Sequence, residues 1–312
     1  MDKNSKIYVS GHTGMVGSAI LRLLKEKKYS NVVCRTHSEL DLCNSLETEN
    51  FFCKERPKYV FFTAAKMGSI ELIKKEPADF LYQNAQMELN VINSALKNDV
   101  ERLIFIGSSW VYPKDVVQPL KESDILNGKF VGDYEAYALS KVLGMKFCEF
   151  VSRQCSKDYF SVISTNIYGA GDNYDPARSH VIPAMICRFY EAKKNGIDEV
   201  ICWGDGTPVR DFLYSDDLAD LCVYLMENGC FGYTAINAAS GEEHTIKELT
   251  TIIAEQVGYQ GKISWDTTKP SGAARLSFDL NVTKKLGWKS KTSLRDGIRL
   301  SYKDFLENWS GK

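Results

Sequence analysis

Tyr137 and Lys141 stand four residues apart in a window of helical spacing, so they share one helix face with Cβ atoms about 5–6 Å apart. An ammonium beside a phenol favours the phenolate and draws its pKa from about 10 toward working pH. Such a phenol can protonate an alkoxide while hydride reaches the carbonyl carbon. Ser108 and Ser109 close the strand-like run that precedes this helix. Open α/β sheets bind ligands at the carboxyl ends of their strands, and a serine hydroxyl there can hydrogen-bond both a substrate carbonyl and Tyr137. A Tyr-x3-Lys pair alone is common on solvated helices, so the reading rests on the whole constellation.

Gly11, Gly14 and Gly17 follow the first apolar run and open the first helical window. Glycine there lets the backbone turn tightly against a pyrophosphate, and the helix N-terminus offers free N–H groups and a positive dipole end. Thr13, Met15 and Val16 complete this cradle. The spacing is G-x2-G-x2-G, not the G-x-G-x2-G of many dehydrogenases. Placement between strand and helix carries the reading against a turn that merely permits helix–sheet packing. At the end of the second strand a carboxylate would hold a ribose 2′-hydroxyl, and an arginine a 2′-phosphate. The chain reads Cys34-Arg35-Thr36-His37, so Arg35 points to NADP(H); the alternative is a solvated loop arginine. Asp41 either faces the adenine edge or caps the next helix.

The elements that must position these groups show in the apolar periodicity. Strands are expected at 6–10, 31–34, 59–65, 102–106 and 160–165, with helices at 15–24, 46–52, 77–97 and 134–154 between them. This alternation predicts an α/β fold, a Rossmann-type doubly wound parallel sheet with right-handed crossovers and strands apolar on both faces. The segment GAGDNYDPARSH reads as a loop. Beyond it come a helix at 182–194, a strand at 199–203 and helices at 215–226, 246–256 and 294–307. Residues 1–170 are expected to form the NADP-binding domain, with a return segment near 211–238. Residues 171–312 mainly form a smaller C-terminal α/β substrate lobe.

Composition narrows the partners. The 312 residues carry 39 Lys plus Arg and 40 Asp plus Glu, a net charge of −1, and 44% are apolar. That is ordinary globular usage with no field of one sign, so neither nucleic acid nor an anionic membrane is an expected partner. The apolar runs are strand-sized, far too short to span a bilayer. The opening MDKNSK has no basic start followed by an apolar helix, so no secretion signal is expected. Nine dispersed cysteines without a CxxC pair suggest reduced thiols in a cytoplasm. The four histidines have no zinc-like spacing to cysteine, and no metal is expected.

The cradle, the strand-end serine and Tyr137-x3-Lys141 resemble those of the extended short-chain dehydrogenase/reductases. GHTGMVGSAI, TAAKMG, GSSWVYPK, YALSK, TNIYG, SHVIPA, WGDGTPVRDFLYSDDLA and LGW resemble the GDP-L-fucose synthase branch, over nearly the whole chain. The resemblance implies that Ser108, Tyr137 and Lys141 form the catalytic set and that NADPH reduces the C-4 carbonyl of a GDP-linked 4-keto sugar. It implies that His180 lies over the sugar beside Ser109 and Trp110, and that Arg188, Trp203 and Arg210 hold the GDP. Ala64 and the backbone around Asn166 would line the cofactor, whose ribose Lys141 also contacts. Taken singly, Trp203 reads as a core aromatic, Arg188 as a surface charge and His180 as satisfying a local backbone group. Members of the branch commonly pair through two helices, which here implies a homodimer through 77–97 and 134–154; the alternative is that the chain's own C-terminal lobe covers either helix.

The chain departs from this branch at Trp110, where the branch has the cysteine that works with the histidine in epimerisation. Indole is neither a base nor a useful acid at neutral pH. The expectation is a C-4 ketoreductase, of a hexose or heptose, whose inversion at C-3 and C-5 is lost and whose His180 only orients the sugar. Thr13 and His37 replace arginines of the branch and weaken the 2′-phosphate site. Three alternatives stand beside this reading. They are a bifunctional 3,5-epimerase-4-reductase, a UDP-sugar 4-epimerase holding NAD tightly, and a non-catalytic NADP-sensing protein.

Overall fold

A computed structural model describes residues 1–68, 70–130, 132–175, 179–230, 232–269 and 271–309. The first half runs β1 (Ile7–Ser10), α1 (Met15–Glu26), β2 (Val32–Val33), α2 (Ser45–Glu55), β3 (Tyr59–Phe62), α3 (Ile70–Lys75), α4 (Pro77–Lys97), β4 (Arg102–Ser108), α5 (Glu135–Cys155) and β5 (Asp158–Ser164). The second half runs β6 (Asn166–Tyr168), α6 (Val181–Lys194), β7 (Glu199–Trp203), β8 (Val209–Tyr214), α7 (Ser215–Asn228), β9 (Ala235–Ala238), β10 (Glu243–Thr245), α8 (Ile246–Val257), β11 (Lys262–Asp266), β12 (Arg275–Leu276), α9 (Asn281–Lys285) and α10 (Leu294–Asn308).

Every residue of β1 and β3 is buried, because helices cover the sheet on both faces. The main sheet is parallel throughout, in the order β2-β1-β3-β4-β5-β9. This is the expected Rossmann-type doubly wound sheet. Its order reverses between β1 and β3, so the ligand crevice belongs at their carboxyl ends. Ser10 fastens that point: its hydroxyl accepts from the Thr63 and Ala64 amides at 3.2 and 3.3 Å. The core on one face gathers Ile20, Leu24, Leu218 and Cys222 from α1 and α7. The other face gathers Phe52, Val91, Ile92 and Met145 from α2, α4 and α5.

Several boundaries differ from the periodicity. The strand expected at 59–65 stops at Phe62, and the one expected at 102–106 runs on through Ser108. A second, mixed sheet has β8 at its centre, antiparallel to β10 and parallel to β12 and β6. β7 and β11 pair in parallel beside it. A third core packs Ile186 and Phe189 of α6 against Leu249 and Ile253 of α8 and Ile298 and Phe305 of α10. Residues 176–178 of the expected loop lie outside the described residues.

Candidate active site

The turn after β1 is shaped by contact as much as by conformation. Gly11 has φ +64°, and a Cβ there would lie 2.8 Å from the backbone of Ala64 at the end of β3. A Cβ on Gly17 would lie 2.3 Å from the Gly11 carbonyl oxygen. Both positions therefore exclude side chains. Gly14 differs, since a Cβ there meets only an ordinary 3.4 Å contact. Gly14 is the N-cap of α1, whose first turn, beginning at Met15 and Val16, holds no acidic residue. The first N–H groups of a helix have no partner within it. They are left facing a site that no carboxylate of that turn competes for, and the cradle fits the pyrophosphate of a dinucleotide.

Beyond β2 the side chains are engaged locally. Arg35 donates to the Cys34 carbonyl at 2.7 Å and to Glu55 Oε1 at 2.9 Å. The second contact is an ion pair, so Arg35 is not a loose loop arginine, and a 2′-phosphate would share it with Glu55. Asp41 does not cap α2. Asn44 does, accepting from the Leu46 and Glu47 amides, while Asp41 Oδ1 takes the Cys43 amide at 2.9 Å. A cap must stand immediately before the helix, and α2 begins one residue earlier than the periodicity suggested.

Ser108 is the last residue of β4, in register with Ser164 at the end of β5. The hydroxyl of Ser108 accepts the Trp110 amide at 3.3 Å, which leaves its own proton free to donate. Ser109 and Trp110 begin a short 3-10 turn. The Trp110 indole is T-shaped against the Tyr137 ring, centroids 5.6 Å apart, and tilted against Tyr134 at 4.9 Å. Tyr137 is 3% exposed and Lys141 2% exposed, side by side on α5. Asn166 in β6 donates to the Asp211 carbonyl of β8 at 3.0 Å, tying this edge to the second sheet.

The electrostatics overturn one expectation. Lys141 Nζ lies 5.7 Å from the Tyr137 ring centroid but only 3.2 Å from Glu88 Oε1 of α4. Burial pushes the Tyr137 phenol up, and the Glu88 carboxylate adds to the rise. The phenol is thus not drawn down toward working pH. Desolvation disfavours the charged phenolate, and the ammonium is already paired with a carboxylate. Glu88 itself is pushed up to about 7 by burial, against the pull of Lys141.

The remaining predicted residues lie in the second lobe. His180 is the N-cap residue of α6, and its side chain makes no cap hydrogen bond, so it does not serve the local backbone. It keeps an exposed surface, yet its surroundings desolvate the imidazole and lower its pKa. Trp203 ends β7 at 63% exposure, which rules out a core aromatic. Arg188 of α6 reaches the same strand, donating to the Ile201 carbonyl at 3.2 Å. Arg210 of β8 bonds the Val209 carbonyl at 2.8 Å, and burial lowers its pKa. Residues 271–272 bridge the group: Ser271 abuts Gly204, and Gly272 lies beside the Arg210 guanidinium.

The model of the NAD dependent epimerase/dehydratase family matches residues 7–239. A GDP-L-fucose synthase of Arabidopsis thaliana is 46% identical over 98% of this chain and 95% of its own. A GDP-D-glycero-L-gluco-heptose synthase from Campylobacter jejuni, solved with NADPH, superposes with TM-score 0.92 at 32% identity over 98% and 99% of the two chains. A GDP-mannoheptose C4 reductase from Campylobacter jejuni with NADP bound superposes with TM-score 0.90 at 31% identity over the same shares.

Proposed function

From a chain that belongs to the NAD dependent epimerase/dehydratase family, we propose an NADPH-dependent C-4 ketoreductase of a GDP-4-keto sugar, hexose or heptose, without 3,5-epimerase activity. The protein is an oxidoreductase of the GDP-L-fucose synthase-like branch, whose relatives are GDP-sugar synthases and reductases, and its cofactor is NADP(H). Gly11, Gly14 and Gly17 would hold the pyrophosphate, with Thr13, Met15, Val16, Ala64 and Asn166 around the cofactor. Arg35 would reach the 2′-phosphate. When bound, NADPH supplies the hydride. Residues 171–312 are read as mainly the nucleotide-sugar lobe.

The protein's own groups do the rest. Tyr137 holds its proton and delivers it to the carbonyl oxygen as negative charge develops there. Ser108, its hydroxyl proton free, donates to the same oxygen. Lys141 holds positive charge under the phenol and binds the ribose. Arg188 and Arg210 offer planar, bidentate donors to a diphosphate, and the exposed Trp203 offers a face to a base. Neutral His180 orients the sugar.

The observation that carries the reductase reading is Trp110. Its indole packs edge-on against the catalytic phenol in the turn where the branch has a titratable thiol. Proton abstraction from carbon needs a base within hydrogen-bond reach, and indole supplies none. The test is turnover of GDP-4-keto hexoses and heptoses in deuterated water. NADPH should be consumed while the C-3 and C-5 protons stay unexchanged; rapid exchange at either carbon would sink the claim. The 46% identity to a GDP-L-fucose synthase favours a second reading, a bifunctional epimerase-reductase with another residue working beside His180. Formation of GDP-L-fucose from the 4-keto-6-deoxymannose substrate would establish it. We place the enzyme in a cytoplasm, a reading supported by nine free cysteines. Among the described residues no helix is long and apolar enough to cross a membrane.

A further inference from the structure

Tyr134 opens α5 at a position that an aromatic ring does not serve. It is the N-cap residue of a helix of 21 residues, and its side chain makes no cap hydrogen bond. Ser, Thr, Asp and Asn lead at that position because their short side chains accept from the first free amides. Here the turn is closed by backbone instead, the Glu135 amide donating to the Gly132 carbonyl at 3.2 Å. A tyrosine in this place gives up the cap, so its ring answers to another contact.

That contact is Trp110. The two ring centroids are 4.9 Å apart, with 37° between the planes. Tyr134 and Tyr137 stand three apart at the start of α5 and share a helix face. The indole meets both, tilted against Tyr134 and edge-on to Tyr137 at 5.6 Å and 88°. Tilted and edge-on ring pairs favour particular orientations beyond the apolar area they bury. The backbone of Trp110 is fixed independently: its amide donates to Ser108 Oγ at 3.3 Å, and the next residue, Val111, is fully buried. What is left free is rotation of the indole about its own side-chain bonds. The cluster of Ile73, Phe80 and Tyr137 bounds that rotation on one side, and Tyr134 bounds it on another. Trp110 and Tyr134 both keep an exposed surface, so they form a wall rather than a core.

Resting on the reductase reading, we propose that Tyr134 is a positioning residue acting through Trp110. In that reading the sugar carbonyl oxygen meets the Ser108 and Tyr137 hydroxyls. Trp110 stands two residues after the first and in ring contact with the second, so its indole borders the sugar. Tyr134 holds the indole at one angle and thereby sets the width of the sugar pocket. Without that ring the indole turns into the vacated space, and the ketone loses a surface that keeps it against its two donors. The cofactor cradle belongs to β1 and α1, so NADPH affinity does not depend on this contact.

Two readouts test the role. The first is acrylamide quenching of Trp110 fluorescence, isolated among five tryptophans by subtracting the Trp110→Phe signal in each background. Tyr134→Asn supplies a preferred cap and removes the ring. It should leave the circular dichroism unchanged and make Trp110 more readily quenched. The second readout is kinetic. The same variant should raise KM for the GDP-4-keto sugar about three- to tenfold, the worth of one ring contact, with a smaller change in kcat and none in NADPH affinity. Tyr134→Phe, which keeps the ring, should match the wild type in both. Tyr134→Leu, apolar and without a ring, is the second variant should Asn fail to fold, and it carries the same expectation. Unchanged quenching in the folded Asn or Leu protein overturns the proposal, as does a Phe variant impaired like Asn, or an NADPH affinity that falls as far as that for the sugar. Quenching needs neither substrate nor NADPH. Absence of turnover with GDP-4-keto sugars therefore counts against the reductase reading alone, and an unmoved indole against Tyr134 alone.

Discussion

A phenol this deeply enclosed is a donor rather than a base, and its pH dependence should say so. With Tyr137 raised by burial and then by Glu88, the protonated form persists through neutrality, and deprotonation comes only above the ordinary tyrosine value. The rate of ketone reduction should therefore hold across neutral pH and fall only on a basic limb above about 10. A limb near neutrality in the kcat profile would contradict this environment. Tyr137→Phe removes the proton without removing the ring. It should lower kcat by about 10²–10⁴ while leaving NADPH affinity, read by fluorescence quenching, nearly unchanged. Ser108, Tyr137 and Lys141 were legible as spacing, because i,i+4 on a helix and the end of a strand are local geometry. The sign of the phenol's shift was not legible. It is set first by burial and then by Glu88, which lies on another helix and meets Lys141 only through helix packing. One trace was available: Glu88 is a charged residue on the helix face of α4 that also carries Phe80, Val91 and Ile92, a position where a buried charge most needs a partner.

The turn and helix that make the cradle separate three glycines that look alike in sequence. Gly11 combines a left-handed φ with a 2.8 Å approach to Ala64, and Gly17 a 2.3 Å approach to Gly11. Gly14 has neither. Gly17→Ala must push the helix off the loop, at a cost of about 1–3 kcal/mol, and should weaken NADPH binding at least about tenfold. Gly14→Ala should bind within about threefold of wild type, since a Cβ there meets only ordinary contact, although alanine is a poorer N-cap than glycine. Isothermal titration of both variants with NADPH checks the order; equal losses would mean that contact does not shape the cradle. The same contrast explains which elements could be read in advance. The long helix at Pro77–Lys97 and the strand at Glu199–Trp203 match their expected bounds, because a full period of buried residues repeats within each. β6, β10 and β12 span two or three residues each, too few to show any period, and they exist through pairing with β8. Arg210 sits on β8 and Asn166 on β6, so their placement depends on that pairing and stayed beyond local reading.

At the scale of the whole molecule, α4 and α5 present a second apolar face that their own packing leaves uncovered. Phe80, Val91, Ile92 and Ala95 of α4 and Val142, Met145 and Cys148 of α5 turn inward. Leu81, Tyr82 and Leu89 of α4 and Leu139, Leu143 and Phe150 of α5 remain between 37% and 66% exposed. Single exposed apolar residues are normal, but six on two adjoining helices form the kind of patch that marks an association surface. A two-fold pairing of such a face would place four helices together, the isologous arrangement commonest among soluble dimers. We propose this face as the seat of the expected homodimer, and charge placed on it should break the pairing. Leu143→Lys with Phe150→Lys sets two ammonium groups on the patch and, by symmetry, two more on the partner copy. Sedimentation at micromolar concentration should then find monomer where the wild type is dimer; a wild-type monomer would remove the patch from consideration. Tyr137 and Lys141 ride the opposite side of α5 from Leu143. Loosening the pair should consequently lower kcat as well as dissociate the protein, and turnover that tracks the dimer fraction on dilution would show that the second copy steadies the helix carrying the acid.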